Sequence, residues 1–258
     1  MDERQLGFVA GLVSGTSKLI IGHPFGKFGR FQGPLDCLFS TVRTEGFRAL
    51  YKGATPPLFG WWILDGVMLG SIANFRYYIS EYNSETPLTI PQHSLTGFGA
   101  GCVVSLVATP IEQVKARLQT QYHRKQNLYS GPIDCCKKLV RNNGIFGLYK
   151  GFQACFVFST FLWVFWGSYA FYANYFQEKI KSAQVRTFLC GGLAATTFWA
   201  VSFPFDLVKN RIMTQPDLKV LKYPNIYQCF KSIYLTEGIK SFYRGFIPCM
   251  ARSFPTNG

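Results

Sequence analysis

Thr109-Pro110-Ile111-Glu112-Gln113-Val114-Lys115 closes an apolar, glycine-containing stretch, and the pattern returns as Phe203-Pro204-Phe205-Asp206-Leu207-Val208-Lys209 and, reduced, as His23-Pro24-Phe25. A short amphipathic segment follows each, then Tyr51-Lys52-Gly53, Tyr149-Lys150-Gly151 or Tyr243-Arg244-Gly245. A long apolar segment follows the first two. Repetition on this scale decides the architecture before local propensity does. One two-helix membrane unit is used three times, over residues 1–83, 84–182 and 183–258.

Pro110 to Gly151 and Pro204 to Gly245 are each 41 positions, whereas Pro24 to Gly53 is 29, so the first unit is 12 short. Cys37, Cys135 and Cys229 each precede their glycine by 16, which confines the deficit to the stretch between Pro24 and Cys37. The last unit is also short, with only Phe246 to Gly258 after Gly245. The expected fold is all-α, with five full transmembrane helices and the start of a sixth in pseudo-threefold pairs.

Composition agrees with a membrane protein of small loops: 48% hydrophobic, 17% aromatic and 16% charged residues. The net charge of +14 admits nucleic acid, anionic lipid or anionic substrate as partners. No nucleic-acid motif accompanies it. Lys137, Lys138, Arg141, Lys179, Lys181, Lys219, Lys222, Lys231 and Lys240 lie between apolar segments and read as charges near lipid headgroups. Eight cysteines without a paired CxxC argue against a metal or redox centre. Cys37, Cys135 and Cys229 read as small residues packed under a surface helix. No cofactor is implied. His23, His93 and His123 fall at unrelated repeat positions, with no nucleophile–base arrangement, so no enzyme is expected.

The first segment, Leu6 to His23, carries Gly7, Gly11 and Gly15 on one stripe; Gly97 and Gly101 in the third segment, and Gly191 and Ala195 in the fifth, fall in the same register. Small residues at spacing four let helices approach closely. The second segment runs from Thr55 to Tyr78, and the strongly aromatic fourth from Gln153 to Phe176. Surface helices are expected over Leu35–Arg43, Tyr129–Asn142 and Ile226–Thr236. In the middle one Ile133, Cys136, Leu139 and Val140 form the apolar stripe.

Pro24, Pro110 and Pro204 are expected to kink their helices. The acid two positions on and the base three after that, Glu112/Lys115 and Asp206/Lys209, would swing toward a common axis. They can pair within one helix, or each acid can meet the base of the next unit. A ring of such pairs would close a central cavity on one side. Unit one has Gly26 and Gly29 at these positions, leaving two of three acid–base sets.

With these residues in view, the chain resembles the mitochondrial carrier family over nearly its whole length. Thr109 to Gln119 and Phe203 to Arg211 look like two family signatures, and the Tyr-Lys/Arg-Gly elements are in register. His23-Pro24-Phe25, Pro57 to Gly60 and Val67-Met68-Leu69-Gly70 are most similar to the carnitine, ornithine and amino-acid branch. The resemblance implies six tilted helices around a substrate cavity, alternating access across the mitochondrial inner membrane, a monomer, a small-molecule metabolite as substrate and membrane lipid, cardiolipin included, as partner. Peroxisomal residence is known for a few members.

Family substrate contacts fall seven and eight positions after the repeat glycine, here Gly60/Trp61, Phe158/Ser159 and Arg252/Ser253. Arg252 matches a basic contact and suits bidentate binding of a carboxylate. Phe158 and Ser159 stand where that branch carries an Arg and an acid, and favour a larger apolar contact. Tyr169, Ala170 and Ala173 lack the charges of the family's second network. Lys18 and Asp65 are further intramembrane charges, candidates for substrate contact or for a mutual pair. The leading expectation is transport of an amino acid or carnitine-ester type of carboxylate. The competing one is a truncated, non-transporting membrane interaction protein.

Overall fold

The structure, a computed structural model, describes residues 55–83, 88–121, 128–215 and 222–257. It is built of helices: α1 (Thr55–Asn83), α2 (Ile90–Gln121), α3 (Pro132–Asn143), α4 (Phe152–Thr160), α5 (Leu162–Phe176), α6 (Ala183–Met213), α7 (Ile226–Glu237) and α8 (Phe246–Asn257), with short 3-10 helices at Ile145–Tyr149 and Ile239–Tyr243. No strand occurs among the described residues. Three stretches are long and apolar enough to span a bilayer, Ile90–Leu118, Ile145–Phe176 and Ala183–Met213. The first apolar segment, the Leu35–Arg43 surface helix, Lys18, Pro24, Cys37, Gly26, Gly29 and Lys219 lie outside the described residues.

The internal repeat is visible side chain by side chain. One cluster joins Val114, Leu118, Tyr129, Cys135, Leu139 and Leu148. Another joins Val208, Ile212, Tyr223, Cys229, Ile233 and Phe242. Each member of the first is 94 positions before its counterpart in the second. The connections match as well. Gly144 and Gly238 (φ 67° and 76°) and Gly151 and Gly245 (both φ 89°) take the left-handed backbone at equivalent points. Glycine tolerates this conformation where a β-carbon would clash. The recurrent glycine of Tyr-Lys/Arg-Gly is thus the turn that starts α4 and α8.

Cys135 and Cys229 are fully buried on the inner sides of α3 and α7. Burial pushes both thiols up to about 11, so neither is a reactive thiolate at neutral pH. The apolar residues of α3 divide between two edges. Its inward positions are Cys135 and Leu139, spaced i,i+4, with Cys136 half-buried, while Ile133 is 73% exposed and Val140 40% exposed. A helix lying in an interface turns one apolar edge to the protein and another to the acyl boundary, and Tyr227 and Tyr234 of α7, the counterparts of Ile133 and Val140, repeat that outward placement. The surface cations expected from sequence, Lys137, Lys138, Arg141, Lys179, Lys181, Lys222, Lys231 and Lys240, are exposed.

Two compact units emerge from the packing. Of the described residues, one takes those up to Ala100, Leu162–Ala200 and those from Gly245 onward; the other takes Gly101–Phe161 and Val201–Arg244. In the first unit a Cβ added to Gly97 would stand 2.6 Å from the Leu162 carbonyl oxygen. In the second, one added to Gly101 would collide with the Ser159 carbonyl oxygen. The small-residue stripe therefore seats the backbone of the aromatic segment directly on α2. That segment is not one helix: Phe161 interrupts it, its N–H donating to Phe158 O at 3.2 Å in a tighter turn. Pro110 and Pro204 sit inside α2 and α6, which continue through them.

Replacing Gly101 by Val should destabilise the protein by about 1–3 kcal/mol through overpacking. Gly131→Ala, with open space around its Cβ and an extended φ of 174°, should change stability by less than about 0.5 kcal/mol. Thermal unfolding of the two variants in detergent checks both; an equal effect would contradict the packing.

Candidate functional site: an ion-pair network between signature helices

The two signature sequences fold as the C-terminal portions of α2 and α6, and their charges meet in the second unit. Lys209 lies 2.9 Å from Asp206 on its own helix and 3.4 Å from Glu112 on the other. Glu112 also holds Lys115 at 3.2 Å, and Asn210 donates to Asp206 Oδ2 at 3.0 Å. Both pairings weighed from sequence are present: within a helix at i,i+3, and between repeats at Glu112–Lys209. Lys209 is only 4% exposed. An ammonium that buried needs carboxylates close by to offset its lost hydration. The Phe158 ring adds to this, its centroid 4.2 Å from the Lys209 ammonium.

A second layer of contacts fixes the network, and sequence reading assigned it no role. Gln113 is fully buried. With its carboxamide turned to suit its neighbours, it donates to the Lys150 carbonyl and accepts from Arg117 Nε, both at 3.0 Å. It thereby ties the signature helix to Tyr149-Lys150-Gly151. Repeat three has Leu207 at this place, packed on the apolar cluster instead. Its clamp is Arg211, which grips both carboxylate oxygens of Glu237 at the end of α7, at 2.6 Å and 2.8 Å. The equivalent of Glu237 in repeat two is Asn143, and Arg117 turns to Gln113 and, at 3.4 Å, to Tyr129 Oη. The recurrence of Lys-x-Arg two residues apart, Lys115/Arg117 and Lys209/Arg211, was the signal in the sequence: the first base serves the network, while the second ties its helix to neighbouring structure, Arg211 to Glu237 of α7 and Arg117 to Gln113 and Tyr129.

The positions marked for substrate contact divide between the units. Gly60 and Trp61 on α1 are half-buried, and Asp65 is 8% exposed. Phe158 lies under the Lys209 ammonium, and the 7%-exposed Ser159 is buried where its backbone packs on Gly101. On α8, Arg252 is half-buried beside the buried Ser253, whose carbonyl accepts from Asn257 at 2.8 Å. Phe254 anchors that helix against Phe188, ring centroids 5.7 Å apart, and against Gly192, both on α6. Among the described residues no His, Cys, Asp and Glu cluster could hold a metal ion.

Comparison with known proteins agrees with this geometry. The family profile described as "Mitochondrial carrier protein" matches residues 25–83, 86–180 and 181–258. The chain belongs to the mitochondrial carrier family. It is similar to mitochondrial substrate carrier family protein L of Dictyostelium discoideum, 39% identical over 99% of this chain and 92% of the relative. It is also similar to mitochondrial magnesium exporter 1 of Drosophila melanogaster, 32% identical over 96% of this chain and 89% of the relative. The mitochondrial carnitine/acylcarnitine carrier protein of Mus musculus is 30% identical over 96% of this chain and 88% of its own length. The chain is thus a multi-pass solute carrier of a mitochondrial membrane, of a family of transporters rather than enzymes.

Two measurements follow. In a double-mutant cycle, Lys209→Met should destabilise by about 3–5 kcal/mol and couple to Glu112→Gln by at least about 1 kcal/mol; strict additivity would dissolve the inter-repeat pair. The Arg211 hydrogen bonds hold the Glu237 carboxyl below the usual carboxylate range. Its stabilisation is therefore present at neutral pH and lost as pH falls through the lowered value. Glu237→Gln should be less stable than wild type at pH 7, and the gap should close below roughly pH 4. A gap independent of pH between 7 and 3 would count against the clamp.

Proposed function

We propose that this chain moves a small carboxylate-bearing metabolite, an amino acid or carnitine ester, across the mitochondrial inner membrane by alternating access. The observation that carries the reading is the Glu112–Lys209 pair, which joins the signature helices of two repeats at 3.4 Å. A transporter needs a closure strong enough to hold and weak enough to release. Here one carboxylate is shared between Lys115 and Lys209, so each competes for it. Pro110 and Pro204 stand two positions before the acids and remove a backbone donor from each helix, which lowers the cost of moving these ends. Exposed cations on α3 and α7 suit anionic headgroups such as cardiolipin. The protein acts as a monomer, with its three repeats supplying the symmetry.

The substrate class is supported by Arg252, a guanidinium on α8 at the family's contact position, and by the similarity to a carnitine/acylcarnitine carrier. Gly60 is a small, half-buried position on α1, Trp61 and Phe158 offer aromatic faces, and Ser159 and Ser253 are buried hydroxyl positions. Lys18 and Asp65 are proposed as further charged substrate contacts.

Purified protein in liposomes should take up labelled amino acids or carnitine esters saturably when loaded with the same class of solute. Arg252→Ala should lower transport by tenfold or more, about 1.4 kcal/mol or above for a lost carboxylate contact. Uptake of magnesium but no carboxylate, or activity indifferent to Arg252, would overturn the substrate assignment.

A further inference from the structure

In the first unit, three helices bring unsatisfied nitrogen atoms together. Phe75 of α1 packs its ring on Gly99 of α2, 3.0 Å from where a Cβ would be. Gly167 of α5 packs against Ser94 of α2, whose hydroxyl oxygen stands where a Cβ would be. Each contact has a neighbour in sequence that bears a polar group: Arg76, His93 and Trp166. The Arg76 guanidinium lies over the Trp166 indole, 5.0 Å from its centroid, and His93 stands within the field of that charge. Tyr169 backs the indole edge-on at 6.0 Å.

Arg76 Nε, His93 Nδ1 and Trp166 Nε1 are all buried with no hydrogen-bond partner among the described residues. Buried polar atoms nearly always have one. Three orphans in one cluster therefore point to a group that is recognised there. The Arg and Trp atoms are donors only, and His Nδ1 donates in one of its tautomers. Such a cluster selects an acceptor without protons of its own. A guanidinium held over the indole, with its Nε–H unmet, has the fork chemistry that matches the two oxygens of a carboxylate. Among the described residues no carboxylate forms an ion pair with Arg76.

We infer that Arg76, His93 and Trp166 form an oxyanion subsite that binds a carboxylate, separate from the position of Arg252. The inference concerns binding and stands whether or not the transport reading holds.

The test is thermal unfolding of the full chain in nanodiscs, titrated with malonate against chloride at matched ionic strength. It is run in an Arg252→Ala background, so that any anion held there does not contribute. Malonate at ten times its dissociation constant should raise the midpoint by about 3 °C. Adding Arg76→Gln should abolish the shift. Adding Trp166→Phe, which keeps a ring under the guanidinium but removes the N–H, should weaken apparent affinity about tenfold. The second variant decides the matter if the first fails to fold. No shift in the Arg252→Ala protein would mean that water alone satisfies the three nitrogens, and overturns the subsite. So would a shift that survives both added substitutions, or one produced by phosphate and not by malonate.

Discussion

A buried ammonium constrains this fold. Lys209 cannot keep its charge inside the protein unless carboxylates reach it from more than one direction. Asp206 comes from its own helix and Glu112 from the preceding repeat. The two signature helices therefore meet at this level. Gly101 lets the aromatic segment close onto α2, which brings Phe158 beneath the ammonium. The arrangement is stable only as a set, and a set of shared charges is what can exchange partners without leaving any ion bare.

The repeats show how one packing scheme survives changes in chemistry. Their apolar clusters correspond residue for residue at a separation of 94. Their polar clamps do not. Repeat three ties α6 to α7 through Arg211 and Glu237, half exposed, where the gain is modest and depends on the acid being ionised. Repeat two has Asn143 in place of the acid and ties its helix through fully buried Gln113 to the Lys150 backbone. A neutral amide pair is indifferent to pH and salt, so the two repeats hold the same geometry with different sensitivities to solution conditions.

Much of this was legible in the sequence because it rests on periodicity and on residues with few alternatives. Glycines at spacing four and the recurrent cysteine of the surface helices each admit one economical explanation, whereas the acid–base spacing of the signatures left two pairings open, and Glu112 makes both. Which apolar residues of α3 face inward was not legible: Ile133 and Val140 are exposed while Leu139 is buried, and hydropathy alone does not distinguish a protein core from an apolar exterior. The interruption at Phe161 has no Gly or Pro to announce it; the aromatic run around it reads as continuous helix. Arg76 was passed over because it lies near the end of α1, where a cation usually reaches water. Only the indole over it and the unmet nitrogens beside it mark it as unusual.

Phe158 carries the argument one step further. Its ring stands at a family contact position and is also a partner of Lys209. Under alternating access, a cationic part of a substrate that sought that aromatic face would compete with the ammonium already on it. Displacing Lys209 would cost it a favourable contact while its two carboxylates still demand a cation, so the pair would be loosened rather than emptied. The departure from a charged residue at this position thus does more than remove a contact. On the proposed reading, it would place substrate recognition and the hold between repeats on the same ring.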